Sequence, residues 1–395
     1  MPSKPAAAFL RFLPVAWAAV TKRPNCADLK KGNLMSKLCG VVLGLLLLGG
    51  AAADSARAQF KNGSQATELN LPRLSQRAEV IQRIGLTDVT IHYHAPLAGQ
   101  RELFGKTVPY GQVWRAGANE NTTISFTDDV SVEGHALPAG TYGLHMIPKA
   151  DEWTIIFSKN STSWGSFSYD EKEDALRVNV KPVAEENRDS LAYTFDDIKP
   201  DSAAATLRWG KVAVPFRISV DVNTITERAI RNQLRNTGGF TWAGYDEAAN
   251  WNLDQNYKLE DALKWEETSI QNEERFENLE TKSRILEAMG KKAEAEATLK
   301  QALDKANAIQ MYVYARGLQR QKQQDKAFEL YRRGYKQFPD HWISHIGMAR
   351  IDSSAGKFDD AVKEMKLAIA AAPDQQKNFL QPMLKRLENK DDINK

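Results

Sequence analysis

The chain has 395 residues, 42% hydrophobic and 26% charged, which is ordinary for soluble globular protein and longer than one typical domain. Its 53 Lys/Arg and 50 Asp/Glu give a formal charge of +3, but 8 of those basic residues and only 2 of the acidic ones lie in residues 1–58, so residues 59–395 carry −3. That balance excludes the dense basic footprint that nucleic acid or a polybasic membrane contact requires.

The first element is an apolar run at residues 41–53, preceded by Lys37 and followed by Ala56-Arg57-Ala58. A basic start, a short apolar middle and a small-x-small end are what the export machinery and signal peptidase read, and the run is too short for a membrane anchor. We therefore expect an upstream extension at 1–34, a start at Met35, a signal peptide at 35–58 cleaved after Ala58, and an exported product that is periplasmic or secreted. Both cysteines, Cys26 and Cys39, precede Ala58, so the mature product would have neither disulfide nor thiol chemistry. No integral membrane segment is expected after cleavage.

Between residues 80 and 222 apolar residues alternate in short runs at 89–93, 123–126, 130–132, 153–157, 176–180 and 216–220, cut by turn residues such as Pro96, Gly99, Gly134 and Pro138-Ala139-Gly140. Period-two alternation without an intervening amphipathic helix predicts an all-β antiparallel domain, sandwich or jelly-roll-like, over 59–225. After Thr226 the texture changes to helix formers with charged faces. Residues 226–273 read as connecting helices and 274–395 as repeats.

The repeat spacing is 34: Pro339 and Pro373, Ala315 and Ala349, Tyr331 and Met365, Gly334 and Ala368, with Ala293, Ala327 and Ala361 extending it back. That is the tetratricopeptide period, in which small residues sit where paired helices cross and Pro ends the second helix. Two units, 308–341 and 342–375, fit well; a third, 274–307, fits less well because Lys300 and Lys305 occupy positions normally small or Pro. A more degenerate pair is expected around 257–270. The fold class is thus two-domain: a β-sandwich followed by an all-α tetratricopeptide-like repeat domain.

The densest unusual cluster is Trp114-Arg115-x-Gly117-Ala118-Asn119-Glu120, with Pro-x-Gly-Thr-Tyr at 138–142, Asp151-Glu152-Trp153, Trp164-Gly165 and Asp174-Ala175-Leu176-Arg177. Over residues 70–221 these closely resemble the exported bacterial family known as domain of unknown function 2911. The resemblance implies an exported β-rich domain, in some members followed by tetratricopeptide repeats, and brings with it no established activity.

The cluster has two readings. In one, Arg115 pairs with Glu120, Asn119 fixes a turn through its own backbone, and Gly117 supplies a conformation other residues avoid. In the other, Arg101, Trp114, Arg115, Asn119, Glu120 and Trp164 line a ligand pocket, its arginines holding an anionic group and a tryptophan giving a flat wall, a composition suited to a sugar or a carboxylate. Strand alternation puts His92 and His94 on one face, and with His145 and Glu102 they have a faint likeness to the metal set of cupins, from whose spacing they depart. A single divalent metal is the alternative to the expectation of no cofactor.

P-loop, nucleophile-elbow, His-Glu-x-x-His and dinucleotide-binding motifs are missing from the sequence. In the helical half Arg316, Arg320 and Arg350 lie on first helices of pairs, where they would meet a peptide partner. The expectation is a non-enzymatic exported protein whose repeats hold a protein or peptide and whose β domain presents a ligand or second contact surface. A metal-dependent enzyme with a cupin-like site and a glycan-binding sandwich are the alternatives.

Overall fold

The computed structural model describes residues 71–395, and Pro72–Lys395 form one compact unit. The leader, signal peptide and cleavage point expected from the sequence lie outside the described residues.

Among the described residues, ten strands make two antiparallel sheets. β1 (Gln76–Ile84), β2 (Thr87–Ala95), β3 (Thr123–Phe126), β6 (Gly140–Ile147), β7 (Trp153–Ser158) and β8 (Asp174–Val180) form the larger in that order; β5 (His135–Leu137), β4 (Val130–Val132), β10 (Ser202–Ser219) and β9 (Val183–Asp196) form the smaller. Alternation explains the layering: Val89, Ile91 and Tyr93 of β2, Leu144 and Met146 of β6, and Leu207, Trp209 and Phe216 of β10 enter one core between the sheets. The result is the expected β-sandwich. β9 and β10 are a long hairpin with register breaks around Gly210, whose φ of +60° is a backbone conformation glycine tolerates.

Ten helices follow: α1 (Val222–Gln233), α2 (Trp242–Asp254), α3 (Leu259–Asn272), α4 (Phe276–Ala288), α5 (Lys292–Lys305), α6 (Ala308–Arg320), α7 (Gln324–Gln337), α8 (Trp342–Ser354), α9 (Phe358–Ala371) and α10 (Asp374–Glu388). The pairs α4–α5, α6–α7 and α8–α9 are the three units read from the repeat period, and α2–α3 is a further pair, within the stretch read as connecting helices. Ala315, Ala327, Ala349, Ala361 and Ala368 are fully buried where paired helices approach, and Gly347 lets Tyr331 pack against its backbone. One register assignment shifts: Ala293 is exposed, and Ala295 fills the buried position that Ala327 and Ala361 take later. The pair starting at Phe276 has the same length as the following one, but it is joined to the next pair by two residues, 306–307, where the following pair is joined by four, 338–341, so a strict period of 34 does not fit it.

Candidate functional site

The outer face of the larger sheet carries the most concentrated polar chemistry. Since Ile91 and Tyr93 point inward, His92 and His94 point outward; register sets Thr123 beside His92 and Gly143 beside Thr123, so His145, two residues on, shares that face. Trp114 pairs its main chain with Met146, and its indole turns inward, donating to the Gly117 carbonyl at 3.1 Å and stacking on Trp209 with ring centres 5.8 Å apart. Arg115, the next residue, turns outward and lies along Gly165, its guanidinium 6.0 Å from the centre of the Trp164 ring.

The loop at residues 159–170 lies on this face and is tightly fixed there. Asn121 Nδ2 donates to the Asn160 carbonyl (3.3 Å) and to Ser163 Oγ (3.2 Å), and His145 Nδ1 is 3.0 Å from Ser166 Oγ. Tyr169 packs against His145 and donates to Asp174 at 2.7 Å. Gly143 makes the approach possible, because a Cβ there would stand 2.5 Å from the Asn160 carbonyl oxygen. Burial pushes the His145 imidazole down to about 4, with Asp174 opposing, so it is neutral at physiological pH and serves to pin the loop.

Charge is distributed unevenly. Burial lowers the His94 pKa, Glu120 opposes the change, and Arg73, Arg77 and Arg115 reinforce it. Burial pushes Glu120 up, but its own backbone amide, the hydrogen bond from Arg73 and the charges of His94 and Arg73 hold it below the usual range. Glu120 Oε2 lies 3.3 Å from His94 Nε2 and has no hydrogen-bond partner. Arg115 is half-buried, burial lowers its pKa against the pull of Glu120, and its buried Nε has no hydrogen-bond partner. Among the described residues no carboxylate comes within ion-pair distance of it.

Several groupings read from sequence are rearranged. Arg101 bonds the carbonyls of Leu97 and Ala98 and lies over Trp209, and Trp114 belongs to an aromatic cluster with Phe104, Trp153 and Trp209, so neither joins Arg115, Glu120 and Trp164. Strand alternation separates them: consecutive residues 114 and 115 enter opposite faces. Glu102 sits in an exposed loop beside Leu103, which packs on Gly210 of the other sheet, while His92 and His94 each face a carboxylate, Glu79 at 3.1 Å and Glu120. The four members of the proposed metal set are thus not assembled, and among the described residues no group of three His, Cys, Asp or Glu is arranged to hold a metal. Glu120 pairs with Arg73 rather than Arg115, Asn119 (φ +57°) donates to the Ser75 carbonyl at 3.2 Å, and Ala116 (φ +51°), not Gly117, takes the left-handed conformation. Gly117 is needed for space, since a Cβ would stand 2.5 Å from Thr122 Oγ1. Phe167 and Arg73 carry no signal in the sequence; what makes them part of the site is exposure and long-range contact, which leave no local pattern.

In the helical half a groove of about 840 Å³ is lined by first helices of successive pairs, α2, α4 and α6, with Phe276, Ile309, Val313 and Tyr314 giving apolar surface and Glu280, Arg284 and Arg320 charge. Of the three arginines expected there, Arg320 lines the groove. Arg316 instead bonds Gln319 at 2.7 Å. Arg350 is buried: its Nη1 donates to the Ile393 carbonyl at 2.8 Å and its Nε to Tyr312 at 2.9 Å. The chain's own residues 392–394, following α10, occupy the surface where a partner was expected. Ile393 N donates to Ser353 Oγ (3.0 Å), Asn394 Nδ2 to the Arg350 carbonyl (2.8 Å), and Gln319 Nε2 to Asn394 Oδ1 (3.0 Å).

With this geometry established, comparison with known proteins matches residues 75–218 to the family described as "Protein of unknown function (DUF2911)". Residues 75–218 form a DUF2911 domain. The outer-face cluster, from Asn119 and Glu120 to Trp164 and Tyr169, falls wholly inside that domain apart from Arg73. Among solved structures, the chain is similar to YrrB, described as a TPR protein with an unusual peptide-binding site, at 14% identity over 42% of this chain and 86% of that one, with a TM-score of 0.25. No curated protein matches. Among the described residues no helix is long and apolar enough to cross a membrane.

Proposed function

We propose that this is an exported binding protein whose helical repeats hold a peptide segment of a protein partner, with the DUF2911 domain as a second recognition surface. The observation that supports this reading is the seat of residues 392–394 on α6 and α8. There Arg350, Ser353 and Gln319 grip a short stretch of peptide largely through its main-chain and amide groups, and Ile393 is almost wholly buried. Beside it the groove along α4 and α6 is open, with Ile309 and Val313 exposed at 47% and 60%. Exposed aliphatic side chains flanked by charge are what a peptide-binding helical surface offers.

Selection from a random peptide library on the intact chain tests the reading. Peptides enriched on the native protein should lose at least tenfold in affinity when Ile309 and Val313 are both changed to Asp, with the helical circular dichroism unchanged. Enrichment of no peptide, or of peptides indifferent to that double change, would overturn it. The export half is tested separately by the mature N-terminus, expected at Gln59.

A further inference from the structure

We propose that the outer face of the DUF2911 domain binds a carboxylated sugar, with Arg115 as the anchor for the carboxylate and the Trp164–Phe167 pair as the platform for the ring. This stands independently of the peptide reading, since it rests on the other half of the chain.

The first observation is an uncompensated cation. Arg115 lies under the fixed 159–170 loop against Gly165, with a buried Nε that donates to nothing and no carboxylate at ion-pair distance among the described residues. A guanidinium half-removed from water with no directly paired carboxylate, only the more distant pull of Glu120, is unfavourable, and an anion brought to it would relieve that cost. The one nearby acid is already engaged: Glu120 is held by Arg73 and faces His94.

The second is an aromatic platform exposed to solvent. Trp164 and Phe167 are 58% and 82% exposed, and their rings stack 5.9 Å apart at 9°. Two parallel rings left open to water beside a guanidinium offer an apolar plane and a cation together, which suits a ring carrying a negative group. Their loop is rigidly tied by Asn121, Ser163 and the neutral His145, so the platform is formed before any ligand arrives.

The third is the character of the surrounding polar atoms, which selects a sugar over an aromatic acid. Glu120 Oε2 is buried and, though it lies 3.3 Å from His94 Nε2, accepts no hydrogen bond, so the face that carries Arg115 also carries an acceptor for a sugar hydroxyl. Glu120 also disfavours a doubly charged group such as phosphate, whereas a single carboxylate matches the planar fork of one arginine.

Titration calorimetry and tryptophan fluorescence of the full chain with trigalacturonate, cellotriose, inorganic phosphate and benzoate test the proposal. Trigalacturonate should bind and alter Trp164 emission, at least tenfold more tightly than any of the other three. Arg115→Gln should lower that affinity at least tenfold while leaving the melting temperature unchanged or raised, because an unpaired buried charge is removed. Trp164→Ala, at an exposed position that folding does not depend on, should lower it comparably. Equal binding of cellotriose, phosphate or benzoate, retained affinity in either variant, or no binding of trigalacturonate would overturn the proposal. So would a fall in melting temperature for Arg115→Gln, which would make Arg115 a structural cation.

Discussion

Two residues carry the physical logic of the sandwich's outer face. Gly143 is there for space: with the Asn160 carbonyl 2.5 Å and Asn121 Nδ2 2.9 Å from where a Cβ would stand, Gly143→Ala must push the 159–170 loop off the sheet. We expect a loss of about 1–3 kcal/mol in urea unfolding and faster amide exchange at 163–169; unchanged exchange would show the loop is held otherwise. His145 is the counterpart, a buried imidazole held neutral by burial so that its Nδ1 meets Ser166. The sequence marked His145 as a candidate ligand because a lone histidine carries no sign of its burial; only its neighbours distinguish a pin from a metal ligand.

At the scale of elements, the pairs around α2, α3 and α4 bury acids. Glu266 of α3 is fully buried; burial, then the charge of Asp246 on α2, pushes its carboxyl up to about 9, and Asp246 and Glu280 are raised as well, chiefly by burial. Because the folded state holds the Glu266 proton that the unfolded state releases above its ordinary value of 4.5, this group's contribution is greatest at acid pH and is lost progressively as pH rises from there toward 9. Glu266→Gln should therefore stabilise the protein at pH 7 by on the order of 2 kcal/mol, with the gain shrinking toward pH 5. Chemical denaturation at pH 5, 7 and 8.5 measures it, and a pH-independent difference would show that Glu266 is not protonated in the fold. These helices are also where repeat reading from sequence was weakest, since spacing departs from 34 between the pairs beginning at Phe276 and Ala308, and a fixed period cannot absorb a two-residue deletion.

Across the whole molecule, α1 links the sandwich to the repeats. Ile225 is buried in the β core and Arg228 pairs with Asp128, while Glu227 bonds Arg231, Tyr257 and Lys258 on the helical side. One turn of helix thus faces both halves, and we expect Ile225→Ser to separate the thermal unfolding of the two, giving a helical transition and a β transition distinguishable by near- and far-ultraviolet circular dichroism. A single coincident transition in that variant would show that the halves are coupled elsewhere. The amino-acid sequence by itself determined what depends on local periodicity: two-residue alternation makes strands, helix-pair spacing makes repeats, and both are written in neighbouring residues. The tertiary structure decided what depends on which distant groups meet. It sent Trp114 and Arg115 to opposite faces, gave Glu120 to Arg73, seated residues 392–394 on Arg350, and left Arg115 without a carboxylate at ion-pair distance beside an exposed aromatic pair. Those outcomes follow from register, loop packing and burial, which set the free energy of a charge or a ring only once its surroundings exist.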